Sequence, residues 1–156
     1  MLYTEKFGKK TYLAKGVRKL KSKKRGGLEV FSFIKFSAVS AKGYEILTET
    51  ELINAFPLIR NDLKRMSLAY YFSEIIGRIS SENQPNTEAY DLLLTTLTNL
   101  TKSNDLKGLR RDFVLNSLVI FGFWEKDRKI TDPDILLSQV LERELNSVRV
   151  GKKVLR

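Results

Sequence analysis

The sequence predicts an α+β chain, with a small β-module in front and a bundle of helices behind. Three observations predict it. Residues 1–49 carry short strand-like runs separated by glycine-containing, charged turns, residues 50–156 carry apolar positions at helical spacing, and the two kinds of segment do not interleave. The charge divides in the same region: residues 1–27 hold ten Lys/Arg against a single acid, Glu5, so +9 of the chain's net +10 sits there. A charge excess packed into one short segment makes a local field that attracts a polyanion, which an evenly spread excess does not.

Taken in order, Thr11 to Val17 is a short run of strand formers. Leu28 to Phe36 alternates a core set (Leu28, Val30, Ser32, Ile34, Phe36) with Glu29, Phe31, Phe33 and Lys35, which predicts a long strand. Gly26-Gly27 closes the basic loop before it, and Lys42-Gly43 marks a turn into a third run, Tyr44 to Thr48. From Thr50 the period becomes helical. Leu68, Tyr71, Phe72, Ile75, Ile76 and Ile79 form one stripe, and Tyr90, Leu93, Leu94 and Leu97 form another behind a start at Asn86. A third helix, from about Asp105 to Phe121, is apolar nearly all round after Asp112, as a central helix would be, and ends at Gly122. Asp132-Pro133 caps a last helix carrying Leu137, Val140, Leu141, Leu145 and Val148. A β-module of fifty residues is too small for a sandwich. Among minimal barrels, the five-stranded oligonucleotide-binding (OB) type suits its charge.

The 156 residues, 42% apolar and 29% charged, have the composition of a globular protein with one respectable core or two small ones. Cys and His are both absent, which removes disulfides, thiol nucleophiles, imidazole bases and the usual zinc ligands together. No nucleophile-base arrangement or phosphate-cradling glycine motif is visible, so no enzyme, cofactor or metal is expected. The longest apolar stretch, Phe113 to Trp124, falls well short of the roughly 20 residues of a membrane span, and the start MLYTEKFGKK lacks the pattern of a signal peptide. A cytoplasmic protein without membrane partners is expected.

The densest constellation runs from Lys15 to Gly27. In extended chain, alternate residues lie about 6.6 Å apart, so Lys19, Lys21, Lys23 and Arg25 match successive phosphates of a stretched single strand. With Lys9, Lys10, Lys15, Arg18 and Lys24 they form the expected phosphate-binding set, which does not discriminate DNA from RNA. Each phosphate neutralised releases counterion, so affinity falls with salt, at roughly −0.7 per contact for single strands. Charge runs are more often solvated loops, but ten bases to one acid in one module favours binding. Phe31 and Phe33, opposite the core set of the long strand, and Tyr12 on the preceding strand are candidates for base stacking. The alternative, that these phenylalanines pack on the helical domain, is favoured by the usual burial of such rings. Arg110 and Arg111 stand beside the apolar run that begins at Phe113, an arrangement suited to a short acidic-hydrophobic peptide, although exposed arginine pairs are commonly idle. Asp127, Asp132 and Asp134 give little indication of an oxygen-ligand metal site, since Asp132 is accounted for as a cap.

With these residues laid out, the chain resembles the RecO family of bacterial recombination mediators, which act in DNA repair. The likeness begins at Thr4-Glu-Lys-Phe-Gly8 and continues through Leu13-Ala-Lys-Gly-Val-Arg18, similar to the family's "AKG-x-R" strand and basic loop. It extends through Gly27-Leu-Glu-Val-Phe31, through Glu51 to Asp62 with Phe56-Pro57 and Arg60-Asn-Asp62, and through Leu109-Arg-Arg-Asp-Phe113 to Ile120-Phe-Gly-Phe123. The resemblance implies an N-terminal OB barrel (residues 1–49) and an all-helical C-terminal domain (50–156). It implies binding of single- and double-stranded DNA, strand annealing and recombinase loading, with RecR and the acidic C-terminal tail of single-strand-binding protein as partners. Arg111 matches by position an arginine used for that tail. The family begins with a further strand and the start of the next, so the barrel is expected either to lack its first strand or to be completed by residues upstream. Its Cys-rich zinc insertion has no counterpart, because Gly122-Phe-Trp124 runs directly into Glu125 to Arg128. Two other outcomes remain open: an adaptor that docks on the tail with little DNA role of its own, and an RNA-binding OB-fold protein, since charge does not distinguish a 2′-hydroxyl.

Overall fold

The computed structural model describes residues 1–16, 27–126 and 130–141. Among these residues the order is four strands and then five helices, a mixed α+β chain. Strands β1 (Leu2–Thr4) and β2 (Gly8–Lys10) form one antiparallel hairpin, and β3 (Phe33–Ala41) and β4 (Tyr44–Asn54) form another. The expected barrel does not close among the described residues: the two hairpins remain separate two-stranded sheets. The first is drawn instead onto the loop between the second and third helices, where the Lys9 backbone forms a parallel β-bridge with Glu82 and its carbonyl accepts the Asn83 N–H at 2.9 Å.

The long strand starts later than its alternation predicts. Leu28 to Phe31 form bends and turns, closed by Ser32 N–H donating to the Glu29 carbonyl at 3.1 Å. The cause is Arg60, whose guanidinium holds the Glu29 carboxylate, the Val30 carbonyl and the Ser32 hydroxyl. Phe31 consequently sits in the left-handed region at φ 63°. The expected strand from Thr11 reduces to one bridge, Leu13 to Ile46, whose backbone bonds to Glu45 and Leu47 are 2.7 and 3.0 Å; Gly16 then turns the chain at φ 73°, and Val17 lies outside the described residues. The turn at Lys42-Gly43 is as expected, with φ 51° and 80°, the two positive values that a type I′ hairpin requires. β4 continues past residue 50 to Asn54, because Thr50 and Leu52 still pair with Phe36 and Ile34.

The helices follow their periodicity. After the short α1 (Pro57–Arg60), α2 (Leu63–Ile79) buries Tyr71, Phe72, Ile75 and Ile76 of the predicted stripe. Its cap, Asp62, accepts the N–H groups of Arg65 and Lys64, and these bonds, Arg65's foremost, hold the carboxyl below its usual range. Asn86 caps α3 (Thr87–Leu100) and Asp105 caps α4 (Leu106–Ile120), which buries Phe113, Val114 and Leu118; Gly122, at φ 76°, turns the chain just past its end. Asp132 caps α5 (Pro133–Val140); Leu145 and Val148 lie outside the described residues. The core gathers where α2 and α4 meet, with the Phe72 and Phe113 rings 4.4 Å apart, and burial of each such ring contributes about 1.5–3 kcal/mol. Tyr3, Phe31 and Phe33 pack against the same core, which ties the strand region to the helices. Among the described residues, no helix is long and apolar enough to cross a membrane.

Candidate nucleic-acid interface

Of the nine cations expected to hold DNA, Arg18, Lys19, Lys21, Lys23, Lys24 and Arg25 lie outside the described residues. The other three divide by how they are engaged. Lys9 donates from Nζ to the Gly77 carbonyl at 2.7 Å, so its charge fastens β2 to α2. Lys10 pairs with Glu45 Oε1 at 3.1 Å and lies over the Phe7 and Tyr12 rings, 5.3 and 6.0 Å from their centroids. Lys15 is exposed, directly before Gly16 turns the chain.

The candidate stacking rings are equally divided. Phe31 meets Tyr70 edge to face at 4.7 Å and packs on the core, as does Phe33, so both serve the packing that their type favours. Tyr12 is half-buried, edge to face with Phe36 at 5.0 Å, and burial pushes its phenol above the usual range. Tyr12, Phe36, Lys10 and Glu45 lie at a groove of about 900 Å³ that also reaches Phe33, Ile76 and Leu97. The groove thus runs from the aromatic cluster between the hairpins down to α2 and α3.

The paired arginines separate. Arg110 sits 4.8 Å from the Tyr71 ring and 2.8 Å from Asp134 Oδ1, which also accepts the Tyr71 hydroxyl at 2.7 Å. Burial first, and then the hydrogen bond to Asp134, pushes the Tyr71 phenol well above its usual range, so it stays a donor. Arg110 therefore bolts α4 to α2 and α5. Arg111 is exposed and makes no ion pair with any other described residue. Nothing in the i, i+1 spacing separates the two. The signal is long-range: Asp134 is 24 residues from Arg110.

The family model "Recombination protein O N terminal" matches residues 1–56, and "Recombination protein O C terminal" matches residues 60–124. The chain is 30% identical over 122 residues to a DNA repair protein RecO of Pelotomaculum thermopropionicum, covering 78% of this chain and 47% of that one. It is 31% identical over 123 residues to that of Alkaliphilus metalliredigens, covering 78% and 50%. With that of Dehalococcoides mccartyi strain CBDB1 it shares 33% over 110 residues, covering 70% and 44%. The chain thus spans about half the length of the curated relatives it matches. With both of its regions matched, strands to the one model and helices to the other, the chain belongs to the RecO family of DNA repair proteins.

Proposed function

We propose that this chain is a non-enzymatic DNA-binding mediator of recombination. Residues 1–49 hold single- and double-stranded DNA by its phosphates, and residues 50–156 meet protein partners, RecR and the acidic tail of single-strand-binding protein among them. It brings complementary strands together and helps to load recombinase, working on the nucleoid in the cytoplasm. The observation that carries this is the +9 charge of residues 1–27 in a chain whose remainder is nearly neutral. Cations at that density screen phosphate repulsion without reading bases, which is what annealing requires. The absence of His and Cys from the sequence supports a role without bond-making chemistry of its own.

Binding of a poly-dT oligomer should weaken with salt along a log–log slope of about −3 or steeper, from five or so contacts at roughly −0.7 each. Annealing of complementary oligomers should be accelerated at low salt and lose that acceleration as salt rises. A slope near zero refutes phosphate binding.

The exposed Arg111 favours a second role as a tail-docking adaptor, since among the described residues its guanidinium has no ion pair and it can take a carboxylate bidentately. Arg111→Ala should weaken a labelled acidic, Phe-ended peptide by about tenfold and leave poly-dT affinity unchanged, as the loss of a charge-assisted pair predicts. Equal peptide affinities in anisotropy titrations would remove that site.

A further inference from the structure

Phe7 is an exposed aromatic residue at the front of the chain that the core does not absorb. It leaves 52% of its surface open, in the turn between β1 and β2. That turn is built to hold still. Buried Thr4 accepts the Phe7 N–H through Oγ1 at 3.1 Å and donates to the Gly8 carbonyl at 3.1 Å, while β2 is fastened to the α2–α3 loop and to Gly77. An aromatic ring presented on a fixed turn binds without further ordering of the chain, so little conformational entropy opposes it.

Its surroundings indicate what it takes. The Lys10 ammonium lies 5.3 Å from the ring centroid, Tyr12 and Phe36 stand beside it at the same groove, and Lys6 precedes it in the most basic segment of the chain. Since Glu45 already neutralises Lys10, that cation steadies the aromatic cluster, and a phosphate is left to Lys6 and Lys15. A flat apolar face set among cations fits a planar base on an anionic backbone better than it fits an aliphatic peptide.

We propose that Phe7, flanked by Lys10 and Tyr12, is a stacking platform for the unpaired bases of single-stranded DNA. This rests on the DNA-binding function proposed above and adds a preference to it: a duplex, whose bases are already stacked on one another, cannot use the platform.

The test compares wild type, Phe7→Ala, Phe7→Leu and Phe7→Trp by anisotropy on three labelled probes: a dT oligomer, an abasic oligomer of equal length, and a duplex. Phe7→Ala and Phe7→Leu should bind the dT oligomer roughly fivefold or more weakly, the usual range for one lost stacking contact, and Phe7→Trp as tightly as wild type. Abasic and duplex affinities should stay within about twofold, and the salt slope should not change, because no phosphate contact is removed. Thermal unfolding of the variants should match wild type, as befits an exposed side chain. Undiminished dT binding by Phe7→Ala, or an equal loss on the dT and abasic oligomers, overturns the platform and leaves the phosphate-binding function standing. Wild type that binds none of the three probes overturns both.

Discussion

Gly8→Ala is expected to destabilise the fold by on the order of 3–4 kcal/mol, lowering Tm by roughly 10 °C in a chain of this size. Two causes add. Gly8 has φ +63°, where an L side chain is strained by about 1–2 kcal/mol. A Cβ built there also stands 1.9 Å from the Gln84 carbonyl oxygen and 2.6 Å from its carbon. Those are backbone atoms, and no rotamer change relieves them. The hairpin must lift from the α2–α3 loop, giving up the backbone β-bridge of Lys9 to Glu82 and the Asn83 hydrogen bond. Gly16→Ala is the matched control, because Gly16 has φ +73° and no atom of the described residues within 4 Å of the added one. It carries the strain without the collision and should cost about 1–2 kcal/mol. Urea titration of both variants checks the difference; equal losses would show that the approach to Gln84 is loose.

The helical half of this fold was legible because its information is local. The stripe from Leu68 to Ile79 repeats at helical spacing, and Asn86, Asp105 and Asp132 each accept a hydrogen bond from the first turn of the helix they cap. The strand half was less so. Leu28 to Phe36 alternates like a strand, yet Arg60, about thirty residues on, recruits Glu29, Val30 and Ser32 into a turn and delays the strand to Phe33. β1 and β2, at three residues each, are too short for any period to register, and what fixes them is the approach of Gly8 to Gln84. The Thr-Glu alternation from Thr48 to Glu51 was a signal for extending β4 past residue 50, outweighed by the helical residues that follow. At the candidate site, charge density singles out the front of the chain but not the engagement of each cation. Lys9 and Arg110 look like surface cations in sequence and become fasteners only when α2 and α5 reach them.

Replacing Lys19, Lys21, Lys23, Lys24 and Arg25 together with Glu should lower poly-dT affinity by roughly a thousandfold at low salt, the largest functional effect expected in this chain. The exchange takes the net charge from +10 to zero and reverses the sign of the segment proposed to track the backbone. The magnitude follows from five counterion-releasing contacts, whose loss should flatten the log–log salt dependence by about 3.5 units of slope. Affinity and slope must fall together, since both count the same phosphates. Lys9→Ala provides the contrast: its ammonium is committed to the Gly77 carbonyl, so the substitution should act on stability more than on DNA. Phe7→Ala provides the other, weakening single strands with the slope intact. Phosphate tracking by residues 19–25 is wrong if gel shifts of the five-fold variant match wild type across the salt series. A variant that keeps its slope but loses affinity would instead mean that the segment supports the interface without touching the backbone.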